Sequence, residues 1–393
     1  MARKTSLQNH KFSNKLLLNQ WLMSQFGIDP LLEYKDNTRP FHKLAAPIRD
    51  NRMEGYDTDG LHRFYHELVN SELFYNELHP ISKEQLRIYE ENIVSHTRTI
   101  NYLRSRPIVW KYFQWLTLLF VEIYLDRYFT DKAKLLDDLN VYLKRFNEKW
   151  TGFQNLEPYS FDDLNKLCLQ NATGSGKTLL MHVNLLQFRH YAKKTREGSE
   201  ISRVILLSPN ERLSEQHLEE LKISGFYSAQ RLKTKQDGSI DMVDVIEITK
   251  LGDTEGPNTI ATRSLGDQNL LLVDEGHRGM SGKDEGVWFT RRSELCAKGF
   301  TFEYSATFAQ AVAAANNRAF EDSYAKTVIF DYSYRWFYED GFGKDYQILN
   351  LPKTYQQVQD VYLTACLLKY YQQLKVYEDK KLEIVPFNLE KPL

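Results

Sequence analysis

The sequence predicts an α/β domain on a mostly parallel sheet, preceded by an all-helical region. Three observations lead there. Residues 1–150 place apolar side chains at three- and four-residue spacing, with little strand-like alternation. After Trp150, short apolar runs recur, several of them followed by helical stretches. A glycine-rich turn opens one of those helices. The expected divisions are a helical domain over 1–150, an α/β domain over 151–355, and a helix with an extended tail over 356–393.

In the first region, Asn14–Phe26 and Gln85–Leu103 carry the helical periodicity. Turn signals at Asp29-Pro30, Arg39-Pro40 and Arg106-Pro107 cut it into short pieces. The most apolar stretch, Trp110–Phe129, contains Lys111, Glu122, Asp126 and Arg127, too many charges for a bilayer core. It reads as a buried helix of a soluble domain. Its aromatics Trp110, Tyr112, Phe113 and Trp115 read as core, ahead of the alternative of a base-stacking surface. The region is expected to brace the following domain or dock a partner, not to catalyse.

Beyond Trp150, Phe161–Gln170 reads as helical, and a second helix follows the glycine-rich turn from Thr178 to about Tyr191. The runs Val204–Leu207, Met242–Ile248, Leu270–Val273, Thr301–Tyr304, Thr327–Phe330 and Tyr346–Leu349 have the length of buried strands. Lys193–Glu200 and Lys233–Ser239 read as surface loops. Gln356–Lys380 is again helical, with Val358, Val361, Ala365 and Leu368 on one face.

Composition sets broad limits. Hydrophobic residues make up 42% and charged residues 26%, ordinary for a globular protein, and the net charge is −1. Contact with a polyanion must therefore come from a local patch. Cys168, Cys296 and Cys366 have no metal-binding or disulfide spacing and read as reduced thiols. The start, MARKTSLQNHKFSNK, lacks a secretory apolar segment, so a cytoplasmic location is expected and no membrane partner.

The strongest chemical signal is Asn171-Ala-Thr-Gly-Ser-Gly-Lys-Thr178. Glycines let successive backbone N–H groups turn toward phosphate oxygens, and the following helix adds its positive end. The expected ATP-binding residues are Ala172, Thr173, Gly174, Ser175, Gly176, Lys177 and Thr178. Lys177 would reach the β- and γ-phosphates, and the Thr178 hydroxyl would ligate Mg²⁺. The strict form of the loop begins with glycine where this chain has Asn171.

Leu270-Leu-Leu-Val-Asp-Glu-Gly-His277 sets an acidic pair at the end of an apolar strand. Asp274 would hold Mg²⁺, and Glu275 would orient and deprotonate the attacking water. His277 could link this site to a neighbouring loop. Thr301-Phe-Glu-Tyr-Ser-Ala-Thr307 offers Ser305 and Thr307, short hydroxyls able to bond an adjacent acidic turn and report nucleotide state. Lys177, Asp274 and Glu275 are thus the candidate catalytic residues, Thr178 and Asp274 the metal ligands, and His277, Ser305 and Thr307 the coupling residues.

In this order the three elements resemble motifs I, II and III of superfamily-two helicases and translocases, over roughly residues 168–308. The Ala-Thr-Gly-Ser-Gly-Lys-Thr, Asp-Glu-Gly-His and Ser-Ala-Thr-Phe spellings are most similar to the restriction-type branch. That branch contains the ATP-driven subunits of type III restriction enzymes and related DEAD/DEAH-box defence proteins, and it tolerates Asn171. Asp331-Tyr-Ser-Tyr334 and Glu339-Asp-Gly-Phe-Gly-Lys344 are similar to the segment after motif III there.

The resemblance implies a RecA-like P-loop fold, ATP and Mg²⁺ as cofactors, and DNA as partner ahead of RNA. A methyltransferase or other defence subunit is the candidate protein partner. It also implies strand contacts at Ser208, Pro209, Asn210 and Arg212, with Gln216 on the same helix, and a weaker candidate at Ile248–Leu251 around Lys250. Such motors close ATP between two RecA-like domains, the second supplying arginine fingers worth roughly 10³–10⁵ in rate. Phe387–Leu393 looks like the lead-in to that second domain, so the chain is expected to be a fragment that binds ATP·Mg²⁺ and hydrolyses it weakly.

The leading expectation is a helicase or translocase of a restriction or phage-defence system. The alternative is a nucleotide-dependent DNA-binding module with little turnover. A P-loop kinase would need an arginine-rich lid that is not seen after Thr307.

Overall fold

A computed structural model describes residues 12–32, 40–74, 80–150, 155–195, 200–232, 238–278, 285–343 and 359–384. The chain divides into two compact units, residues 1–342 and 343–393.

The described residues of the first unit form nine strands: β1 (Lys166–Asn171), β2 (Arg203–Ser208), β3 (Ala229–Arg231), β4 (Val243–Glu247), β5 (Leu251–Gly252), β6 (Ile260–Ala261), β7 (Asn269–Asp274), β8 (Phe300–Ser305) and β9 (Val328–Tyr332). Seven form one sheet in the order β3-β4-β2-β7-β8-β1-β9, and β5 pairs with β6 separately. Every neighbouring pair in the large sheet is parallel. β2 and β7 contain apolar runs of four residues, as strands covered on both faces of a parallel sheet do. All six residues of β2, and Asn269–Val273 of β7, are buried. The α/β class with a parallel sheet is as the sequence predicted.

Five expected strands fall on β2, β4, β7, β8 and β9. Phe161–Gln170 does not form a helix: a 3₁₀ turn at Asp163–Asn165 leads into β1. Leu167, Cys168 and Leu169 are fully enclosed between β8 and β9, and that burial overrides the local helical pattern. The short edge strand β3 and the β5–β6 pair carry no signal that the sequence reading used. The proposed strand Tyr346–Leu349, the tail Phe387–Leu393 and Lys344 lie outside the described residues.

Among the described residues, the apolar cluster of the helical region continues into the sheet. The boundary placed at residue 150 separates helices from strands in sequence, but residues 1–342 form one unit. The helix Tyr112–Thr130 is buried along nearly its whole length, with Trp115, Phe120 and Leu125 in the same apolar cluster as Leu169 of β1 and Phe302 of β8. It packs on the helix Lys177–Ala192 and on β9. Its all-round apolar character follows from being enclosed on every side. Trp110, Tyr112, Phe113 and Trp115 are core residues, as expected. Ser82 and Gln85 cap the helix Lys83–Asn101 reciprocally, and Asp131 caps the helix Lys132–Lys149. Among the described residues no helix is long and apolar enough to cross a membrane.

The second unit contains the helices Gln359–Asp379 and Lys381–Ile384. The first lies within the predicted span; residues 356–358 are outside the described set.

Candidate nucleotide-binding site

Strands β2, β7, β8 and β1 are consecutive in the sheet, so their carboxyl ends form one edge. Open parallel sheets bind ligands along that edge. The register sets Asp274 of β7 beside Tyr304 of β8, and Ser305 of β8 beside Gln170 of β1. The loop Ala172–Gly176, the Asp274–His277 turn and the Ser305–Thr307 segment are thereby neighbours.

The loop leaves β1 and turns into the helix Lys177–Ala192 through two glycines in the left-handed region, Gly174 at φ 83° and Gly176 at φ 88°. A Cβ on Gly176 would stand 2.5 Å from the Gln114 amide nitrogen. That amide donates to the Ser175 carbonyl at 2.8 Å, so the buried Tyr112–Thr130 helix holds the loop from behind. On the other side, the Ala172 amide donates to the Tyr332 carbonyl at 2.9 Å.

These residues fit a nucleotide phosphate. Among the described residues, the buried Ser175 hydroxyl and both side-chain polar atoms of Asn171 have no hydrogen-bond partner. Such groups cost free energy unless something else satisfies them. Among the described residues, Lys177 Nζ donates to the loop's own carbonyls alone, Asn171 at 3.3 Å and Ala172 at 3.4 Å. Burial lowers the Lys177 pKa, and the charges of Glu275 and Asp274 work against that. Thr173 and Gly174 are exposed at the tip, and Thr178 is half-buried on the first helical turn.

The acidic turn is tightly built. The Glu275 amide donates to Asp274 Oδ1 at 3.1 Å, and the Arg278 amide to the Glu275 carbonyl at 2.9 Å. Glu275 itself sits at φ 54°, a strained setting for a non-glycine residue of the kind that gathers at functional sites. Burial raises the Asp274 carboxyl, but the hydrogen bond and charge of His217, with Lys177, bring it below its ordinary value. Gly276 donates to the Tyr304 carbonyl at 2.9 Å and accepts from Arg292 Nη1 at 2.8 Å.

Beneath the turn lies a buried ionic cluster that sequence reading missed. Glu303 faces Lys166 at 3.2 Å, Arg292 at 3.5 Å and the Tyr324 hydroxyl at 2.7 Å. Burial alone would raise its pKa; these partners hold it below the ordinary carboxylate range.

The coupling candidates meet. His277 Nδ1 lies 2.8 Å from Ser305 Oγ and 3.3 Å from Glu275 Oε2, and the Thr307 amide donates to Ser305 Oγ at 3.0 Å. Gln170, not singled out in the sequence, extends this network. Its carbonyl accepts the Ala309 amide at 2.8 Å and its amide donates to Asp331 at 2.8 Å.

At the end of β2, Ser208 and Pro209 are buried while Asn210 and Arg212 are exposed. The Ser208 hydroxyl bonds the Asn210 carbonyl and Ser214, and the Asn210 side chain caps the helix Glu211–Ile223 at Leu213. These side chains build the turn, leaving the Arg212 guanidinium exposed beside it. Half-buried Lys250 pairs with the buried Glu247 carboxylate at 3.2 Å.

No curated protein matches the chain. Residues 134–310 match the family described as type III restriction enzyme, res subunit. The match takes in the loop, the acidic turn and the Ser305–Thr307 segment, and begins after Gln114. Over residues 134–310 the chain is therefore similar to the type III restriction enzyme res subunit, which supports a helicase-like ATPase domain of the restriction type.

Proposed function

We propose that the chain is the nucleotide-binding half of an ATP-driven DNA helicase or translocase of a restriction or phage-defence system. The observation that carries the reading is the convergence, on one sheet edge, of an unsatisfied phosphate loop, an acidic turn and a hydroxyl sensor beside the Ser208–Arg212 turn.

In this reading the backbone of Ala172–Gly176 cradles the phosphates, and Lys177 turns from its own loop carbonyls to the β- and γ-oxygens. Thr178 and Asp274 would hold Mg²⁺, which would supply charge neutralisation for the transferring phosphoryl group. Glu275 accepts a proton from the attacking water as its oxygen bonds phosphorus and the bridge to ADP breaks. His277, joined to both Glu275 and Ser305, reports that event to Thr307 and the helix behind it. Ser208, Pro209 and Asn210 present backbone to one DNA strand, and Arg212 supplies a phosphate contact.

Motors of this kind close ATP between two RecA-like domains, and the large parallel sheet among the described residues would supply one face of that cleft. The chain is accordingly expected to bind ATP well and turn it over slowly. Phosphate release with and without duplex DNA tests this reading. Slow release that rises when a second RecA-like domain is supplied with DNA supports it. Release that DNA never changes would favour an ATPase outside nucleic-acid metabolism.

A further inference from the structure

The helix Glu211–Ile223 turns Ser214, His217 and Leu221 inward, at helical spacing, and all three are buried. His217 is the polar member that reaches the acidic turn: its Nε2 lies 3.0 Å from Asp274 Oδ2. Among the described residues, its other ring nitrogen has no hydrogen-bond partner. The bond to Asp274 therefore fixes the proton on Nε2, which donates to the carboxylate. Asp274 Oδ1 is held independently by the Glu275 amide at 3.1 Å. Each carboxylate oxygen thus takes one fixed donor and keeps lone-pair capacity for another ligand.

We propose that His217 is a positioning residue for Asp274, presetting its carboxylate to receive the divalent ion that accompanies the nucleotide. This rests on the reading of Asp274 as the Mg²⁺-bearing residue. A hydrogen-bond partner behind a metal-bearing carboxylate removes its rotational freedom, and losing one costs roughly 10–100-fold in metal affinity or activity. The position of His217 also joins the acidic turn to the helix capped by Asn210, behind the Ser208 turn.

The test is calorimetric titration of the chain with a non-hydrolysable ATP analogue, with and without Mg²⁺. In His217→Ala the Mg²⁺-free affinity is expected to stay unchanged. The additional affinity conferred by Mg²⁺ should fall roughly 10–100-fold. His217→Gln, whose amide can donate from nearly the same place, should recover most of it.

An unaltered Mg²⁺ increment in His217→Ala would overturn the proposal. So would an equal loss with and without Mg²⁺, which marks general structural support. If the alanine variant loses cooperative unfolding, the glutamine variant decides, and absence of the Mg²⁺ increment there counts against the role. Failure of the underlying reading looks different: the unmodified chain would not bind the analogue, or Lys177→Ala would bind it equally well.

Discussion

Gly276 is the residue of the acidic turn for which the structure gives the sharpest mutational expectation. A Cβ at this position would stand 2.9 Å from Glu303 Cβ, 3.2 Å from Glu303 Oε2 and 3.3 Å from the Phe308 ring. Glu303 has little freedom to retreat, because Lys166, Arg292 and Tyr324 fix its carboxylate. The turn is equally constrained, by Gly276 N–H on Tyr304 and by Arg292 on the Gly276 carbonyl. Overpacking of this kind costs about 1–3 kcal/mol. Gly276→Ala is therefore expected to lose that much stability in urea unfolding. Because the displaced turn also holds Asp274, through the Glu275 amide on its Oδ1, the Mg²⁺-dependent part of nucleotide binding should weaken in the same variant. Unchanged stability together with unchanged nucleotide binding would refute the claim that the turn is seated against Glu303.

Two further outcomes follow from buried charge. Burial pushes the Glu122 carboxyl up to about 7 from 4.5, although Tyr191, Asn92 and Gln187 hydrogen-bond it. Between those values the unfolded chain ionises while the folded carboxyl keeps its proton, so stability falls as pH rises, by about 3 kcal/mol at most. Glu122→Gln should be more stable than the unmodified chain at pH 8 and nearly equal to it at pH 4.5, read by urea unfolding; an equal difference at both would contradict the assignment. Arg292→Leu removes one partner of a buried pair and should cost roughly 3–5 kcal/mol. A cost under about 1 kcal/mol, the range of an exposed pair, would show that Lys166 and Tyr324 suffice for Glu303.

What the sequence made legible was local. The phosphate loop, the acidic strand end and the Ser-Ala-Thr turn are contiguous strings whose chemistry depends on neighbours one to seven residues away, and they land together on one sheet edge. Strands with a long apolar run, such as β2 and β7, announced themselves; β1 did not. Its polar end, Gln170 and Asn171, is buried among Asp331 and Ala309, partners far along the chain. The helices of the first region were readable as helices, but their shared core with the sheet rests on contacts such as Gln114 to Ser175. Periodicity does not encode these. His217 did leave a signal: with Ser214 and Leu221 it marks the inward face of its helix, where a histidine needs a partner. The cluster around Glu303 left none, because its cations come from β1 and from a helix before β8.

The most direct test of the central claim is titration of the purified chain with a fluorescent ATP analogue and Mg²⁺, beside Lys177→Ala. The account predicts saturable binding by the unmodified chain that the substitution abolishes, with little phosphate release by either. Equal binding by both, or none by the unmodified chain, would contradict a nucleotide site at the Ala172–Thr178 loop.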